Sequence, residues 1–337
     1  MWQSVRGEMN MTIQRVDISV DVTPTVAHLT SAAVEMTATV VVDPAKLVAN
    51  PTVIYATPGG TYHRRYWDMQ IPGRTGYSQA EWHANRGEIF VAIDYLGGGD
   101  SSRPDDGDFM TLEVAADCAH HVRATVRELL GRGELVPGLA PIAGMTDIGI
   151  GQSLGGFITI IQQGKYNDYA GLGVFGSSPI GIANIHDDIL RTDLTTEERR
   201  RMIMEENART ASVPELPTYH TAPRENFVGI FHVLDVPKDL WDYDVEHCST
   251  LISRVSGVDG MTPGLTAPFA AEVVSPVFLA FGAIDVSANP DDEPSAYPKS
   301  AGTTLVVTPN MAHMHNFADT RQQLWDQFGA WIKTINN

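Results

Sequence analysis

The stretch Thr146-Asp-Ile-Gly-Ile-Gly-Gln-Ser-Leu-Gly-Gly-Phe-Ile-Thr-Ile-Ile161 decides how the chain is read. Its centre, Gly151-Gln152-Ser153-Leu154-Gly155, has the form G-x-S-x-G, with β-compatible residues before it and an apolar, helix-compatible run after it. Strand, tight turn and helix are the setting this motif requires. Glycines flank the serine because the turn leaves no room for side chains there and strains the serine's own backbone. The following helix N-terminus aims free N–H groups at any oxyanion formed above Ser153, with that of Leu154 nearest.

Working outward, the flanking sequence alternates apolar strands with helices. Gln14 to Val22 and Ala32 to Val42 alternate apolar and polar residues and read as two antiparallel strands. Buried strands are expected at Pro51 to Thr57, Glu88 to Asp94, Ala170 to Gly176, Ser275 to Asp285 and Thr303 to Thr308. Helices are expected at Thr111 to Gly133, where Thr111 can cap, after Ser153, and at Ala318 to Ile335, with Leu324, Phe328, Trp331 and Ile332 as its apolar stripe. This pattern gives an α/β fold with a mostly parallel central sheet and helices on both faces. From Ser177 to about Ala270 the character changes: helical stretches at Thr195 to Arg209 and Pro237 to Arg254 alternate with breaks at Pro214, Pro217 and Pro223, and no strand is evident. The expected organisation is a core of residues 13–178 and 271–337, a helical cap at 179–270 inserted before the strand that ends in Asp285, and a disordered leader at 1–12.

Composition narrows the function. The chain has 337 residues, 43% of them hydrophobic, enough for a full core. A formal charge of −18 without a basic run argues against nucleic acid and anionic membrane as partners. No signal-peptide pattern and no apolar run of about 18 residues is present, so a cytoplasmic protein acting on a small molecule is expected, with homo-oligomerisation left open. Cys118 and Cys248 are expected to be reduced, packed thiols. The glycines at 97–99 match neither nucleotide-binding pattern, and the adjacent His120 and His121 face different directions on a helix, so no cofactor and no metal is expected.

In parallel sheets chemistry collects at the carboxyl ends of the strands. The Gly59-Gly60 turn, Ser153, Asp285 and His313 all fall at such ends, in the chain order Ser, Asp, His. A serine hydroxyl needs an imidazole as base, and the imidazole needs a carboxylate to hold its tautomer and stabilise its cation. Asp291 or Asp292 could replace Asp285, and His315 competes with His313.

With these residues in hand, the chain resembles the α/β-hydrolase superfamily. The elbow Gly151 to Gly156 matches, as does Asp94-Tyr-Leu-Gly-Gly-Gly-Asp-Ser-Ser-Arg-Pro104, which is similar to the family's D-x-x-G-x-G-x-S-x-x-P loop. Phe281-Gly-Ala-Ile-Asp285 matches the acid strand, and Pro309-Asn-Met-Ala-His313 stands where P-G-x-G-H is usual. Pro58 departs from the family's usual histidine, and Asn310 and Ala312 depart from its glycines. The resemblance implies Ser153 as nucleophile, His313 as base and then acid, Asp285 as its orienter, and the N–H groups of Gly60 and Leu154 as oxyanion donors. Tyr62, Tyr66, Trp67, Phe231, Trp241, Tyr243, Met311 and Met314 supply aromatic and Met side chains for an apolar pocket, or else pack the cap, and His315 is expected to line the pocket or pack against the cap. The expected reaction is hydrolysis of a carboxylic ester or lactone through an acyl-enzyme. Carbon–carbon bond cleavage or acyl transfer by the same triad is a second reading, and a ligand-sensing receptor retaining the fold is one of a different class.

Overall fold

The computed structural model describes residues 13–182 and 193–336; the expected leader at 1–12 lies outside them. In chain order the elements are β1 (Gln14–Asp21), α1 (Thr23–Val26), β2 (Glu35–Val42), β3 (Thr52–Thr57), α2 (Gln79–Ala84), β4 (Ile89–Ile93), α3 (Leu112–Arg132), β5 (Thr146–Gln152), α4 (Leu154–Tyr166) and β6 (Gly171–Phe175). These are followed by α5 (Thr196–Thr210), β7 (Tyr219–His220), α6 (Lys238–Tyr243), β8 (Ile252–Ser253), α7 (Arg254–Gly260), α8 (Ala267–Ala270), β9 (Val277–Ile284), β10 (Thr303–Ala312) and α9 (Arg321–Ile335).

Among the described residues, eight strands form one sheet in the order β1-β2-β4-β3-β5-β6-β9-β10. β1 pairs with β2, and β2 with β4, antiparallel; every later pairing is parallel. The period-2 alternation of a strand sends successive side chains to opposite faces. Ile54 and Ala56 of β3 therefore join Phe90, Ile148, Leu324 and Phe328 on the face covered by α2 and α9. Val53 and Tyr55 join Val91, Val122 and Val126 on the opposite face, under α3. α4 packs beside α3 on that same side, with Ile158 and Ile161 against Leu172 and Leu279.

Register brings the site together. Thr57 pairs with Gly151, Gln152 with Phe175, Phe175 with Ala280, and Ala312 with Ile284. The carboxyl ends of β3, β5, β6, β9 and β10 thus stand side by side.

Several elements differ from the sequence reading. β7 and β8 pair antiparallel within the excursion between β6 and β9, where no strand was evident, because two-residue strands carry too little alternation to detect. The expected helix from Pro237 to Arg254 is broken: α6 ends at Tyr243, a π-helical turn covers Asp244–Cys248, and β8 follows. α3 ends where expected, at Gly133, where φ is +70°. β10 runs on to Ala312 through an irregularity after Thr308, and Asn310 there takes φ +52°. That backbone explains the departure from the family pattern: asparagine is among the few non-glycine residues tolerated in a left-handed conformation. The Asn316 side chain ties the start of this last segment to the core: it donates to Tyr66 O and accepts from Trp325 Nε1.

The elbow's glycines are required by distance. A Cβ on Gly151 would lie 2.1 Å from Gly155 O, and one on Gly155 would lie 2.1 Å from Thr57 O, both rigid backbone atoms. Gly151→Ala is therefore expected to cost about 3 kcal/mol of unfolding free energy. Gly302→Ala, whose Cβ meets nothing within 4 Å, should stay within about 0.5 kcal/mol of the parent. Urea unfolding of the two variants checks this pair.

Candidate active site

Ser153 sits between β5 and α4 with φ +53° and ψ −121°, a conformation that a non-glycine residue keeps only when its surroundings over-determine it. Its N–H donates to Phe175 O at 2.8 Å, and its C=O accepts from Ser177 Oγ at 2.6 Å. Both partners come from the end of β6 and just beyond it. Ser177 was not singled out from the sequence, because a serine two residues past a strand carries no signal of its own.

The Gly59-Gly60 turn packs directly on the elbow. A Cβ on Gly59 would lie 3.3 Å from Ser153 Cβ, and one on Gly60 would lie 3.5 Å from Leu154 Cβ. Neither the Gly60 N–H nor the Leu154 N–H has a hydrogen-bond partner among the described residues. Two unpartnered donors next to a serine hydroxyl, one at the N-terminus of α4 and one in the loop after β3, can stabilise negative charge that develops there.

Asp285, just past β9, is bonded from four directions. Its Oδ1 accepts from His313 Nδ1 at 2.6 Å and from the Val286 N–H at 2.8 Å. Its Oδ2 accepts from His315 Nε2 at 2.7 Å and from the Gly282 N–H at 2.8 Å. Burial alone would raise this carboxyl, but the charges and hydrogen bonds of His313 and His315 outweigh it and hold the group far below the usual carboxylate range. An ionised Asp285 fixes His313 with its proton on Nδ1, which leaves the Nε2 lone pair free to accept a proton.

That lone pair now faces the side-chain amide of Gln152, with Nε2 to Nε2 at 3.4 Å, while the same amide donates to His313 O at 2.9 Å. Ser153 Oγ makes no hydrogen bond among the described residues. Bonds of this kind are often loose in an unliganded enzyme and tighten with substrate. Behind the pair, Gly176 at φ +59° leaves room that a Cβ would take, 2.9 Å from His313 Nδ1. Gln152 and Gly176 were missed by the sequence reading, although Gln152 lies inside the motif itself.

The aromatic and histidine expectations divide. Phe231 stays near the site, its ring 5.6 Å from that of His313, with Phe227 stacked on it at 4.4 Å. Tyr62 and Trp67 are 0% exposed and Met314 is 2% exposed, so they act as packing residues. A side chain that water cannot reach cannot line an open pocket. Trp67 packs among Tyr66, Phe90 and Phe175. Tyr66 and Met311 are equally buried, and the Tyr243 hydroxyl accepts from the Gln70 N–H. Trp241 lies edge-on to His232. His315 is 1% exposed and holds Asp285 instead of lining a pocket. Asp291 and Asp292 are not among the partners of His313.

Among the described residues, open clefts of about 440 and 450 Å³ have linings that do not include Ser153. The first runs past Arg15, Arg64 and His247; the second is lined by Ile284, Asp285 and Val307. The grouping His63, Asp94 and Asp100 has donor spacing a metal could use, but the Arg64 guanidinium already bonds both carboxylates, Asp100 at 2.8 Å. His120 bonds Asp168 at 2.8 Å and stacks on Tyr166. Cys118 and Cys248 are free and buried.

No protein-family model matches the sequence, and no curated protein does. Solved structures match over nearly the whole chain. A thermophilic esterase from Thermogutta terrifontis, with malate bound, is similar at a TM-score of 0.58 and 15% identity, covering 96% of this chain and 100% of its own. The fold is that of the α/β-hydrolases. A bromoperoxidase from Bacillus anthracis (TM-score 0.58, 14% identity, 94% and 98% covered) and an esterase from Exiguobacterium antarcticum (0.58, 14%, 89% and 96%) share this α/β-hydrolase arrangement. No helix among the described residues is long and apolar enough to cross a membrane.

Protonation of Asp285 should be visible in stability. Its folded pKa lies below the unfolded value of about 3.9, so its contribution is fully present above that value and is lost as pH falls towards the folded one. Asp285→Asn should therefore be less stable than the parent in urea at pH 7, with the gap narrowing below about pH 4. A gap that stayed constant down to pH 3 would mean that the carboxyl is not held ionised.

Proposed function

We propose that the protein is a serine hydrolase that cleaves a carboxylic ester or lactone of an apolar or aromatic small molecule through an acyl-enzyme on Ser153. The observation that carries this reading is the meeting at adjacent strand ends of a strained Ser153, two unpartnered N–H groups and an imidazole bonded to an ionised carboxylate. His313 takes the Ser153 proton as Oγ attacks the acyl carbon, and Asp285 stabilises the resulting imidazolium. Gly60 and Leu154 N–H groups receive the oxyanion. His313 then returns the proton to the departing alcohol and activates the water that releases the acid.

An apolar substrate is supported by Phe231 beside His313 and by Ile252, whose Cδ1 would lie 3.4 Å from a Cβ on Gly60. That two solved structures of this fold are named esterases accords with the reaction class. Helical insertion 179–270 would act as a cap over these strand ends.

Purified protein should hydrolyse members of a panel of aryl esters and lactones, and a fluorophosphonate should label it at Ser153. Ser153→Ala should fold normally and lose several orders of magnitude in kcat. A variant that kept more than about a tenth of the activity would remove Ser153 from the role of nucleophile.

The two histidines are separable by kinetics. His313→Ala should abolish turnover while leaving substrate binding largely intact. The sequence alone leads one to expect His315→Ala to move KM, but its bond to Asp285 shifts the expectation to kcat. His315→Leu should lower kcat by about ten- to a hundredfold with KM little changed, the size of a misplacement effect. An altered KM at constant kcat would return His315 to the pocket wall.

A further inference from the structure

Thr61, the residue after the oxyanion donor Gly60, is a β-branched residue held at φ +62°. Such a residue strongly disfavours the left-handed region, so its neighbours must hold it there. Every polar atom of Thr61 is engaged. Its N–H donates to Tyr95 Oη at 3.0 Å, and its C=O accepts from the Thr250 N–H at 3.0 Å. The same C=O accepts from Arg224 Nη2 at 3.0 Å, and Thr61 Oγ1 accepts from Arg224 Nη1 at 3.0 Å.

Arg224 comes from the excursion between β6 and β9, 163 residues away in the chain, and is itself 2% exposed. Its guanidinium lies 4.0 Å from the centre of the Tyr62 ring, and its Nε donates to Asp244 Oδ1 at 3.2 Å. Asp244, fully buried, also accepts from Tyr62 Oη and from His232 Nε2, both at 2.7 Å. Its charge therefore offsets that of Arg224, and two donors besides Arg224 satisfy it.

The same segment also holds the other side of the site. Ile230 O accepts from the His313 N–H at 3.0 Å, and Phe231 O accepts from the Met314 N–H at 2.9 Å. One stretch, from Arg224 to His232, thus fixes both the loop that carries the oxyanion donor and the loop that carries the base.

We infer that Arg224 is a positioning residue for the oxyanion loop: it holds Thr61 in its strained backbone, and through Thr61 the Gly60 N–H. Asp244 anchors Arg224, and the stretch to His232 makes the geometry of the oxyanion site and that of His313 depend on one docked segment. The inference rests on the serine-hydrolase reading above. It goes beyond that reading in giving a residue of the excursion a role in aligning groups it never touches.

The test needs no known substrate. A fluorophosphonate reacts as a Ser153 Oγ–P bond forms and the P–F bond breaks, with fluoride leaving and the hydroxyl proton passing to His313. The developing charge on the phosphoryl oxygen makes the rate depend on the oxyanion donors. For Arg224→Met the second-order rate of Ser153 labelling should fall by about 30- to 100-fold, with the final labelled fraction unchanged. Arg224→Lys keeps a cation beside Asp244 but cannot hold both Thr61 atoms in fork geometry, and should label about tenfold more slowly. A purely structural role would lower the labelled fraction at an unchanged rate. That result, or wild-type rates in both folded variants, overturns the inference; if Arg224→Met does not fold, Arg224→Lys decides alone. A wild-type chain left unlabelled at Ser153 removes the serine-hydrolase reading and the inference with it, whereas a labelled wild type with unslowed variants removes the inference only.

Discussion

The turn at Ser153 leaves no space for a side chain on either flank, and much of the molecule is arranged to keep that turn in place. Gly151 and Gly155 meet backbone atoms at distances that exclude a Cβ, and Gly156 does the same against Ser177 Oγ at 2.0 Å. Phe175 O and Ser177 Oγ hold the serine's own N–H and C=O. The register of β5 between β3 and β6 then delivers the Gly59-Gly60 turn on one side and Gly176 on the other. Strain at one residue is tolerable because five parallel pairings and two helical layers surround it.

Across the site, the governing quantity is the charge on Asp285. A buried carboxylate is costly unless its lone pairs are used, and four donors use them here. Two are backbone N–H groups from the tip of β9 and its following turn, so they come with the strand. The other two are His313 and His315, which reach opposite oxygens from the same turn after β10. That turn is tight, the His315 N–H donating to His313 O at 3.1 Å, so residues two apart reach one carboxylate while Met314 between them packs in the core.

The contrast between the two histidines marks the boundary of local reading. Spacing after Pro309 distinguished His313 as the partner of Asp285 by resemblance, and the irregularity at Asn310 is compatible with that spacing. Nothing local could place the His315 ring, because its partner is 30 residues away and its orientation depends on packing against Phe175. Tyr62 and Trp67 stayed open between pocket and packing for a related reason. Large aromatics near a site serve equally well as core, and only the observed burial separates the two uses.

By itself the sequence determined the strands and helices with strong periodicity, the strained turn at Ser153, and the order of groups at strand ends, since each is written within a few consecutive residues. It did not determine the short pairing of β7 with β8, the broken helix after Tyr243, or the Arg224 and Asp244 contacts to the loop after β3. Those depend on residues more than a hundred positions apart, or on pairings of two residues, whose free energies are set by what packs around them. The tertiary structure also decided that the Gln152 amide bonds to His313. Hydrogen-bond direction at a buried amide follows from the acceptors that folding brings near, and no local pattern encodes them.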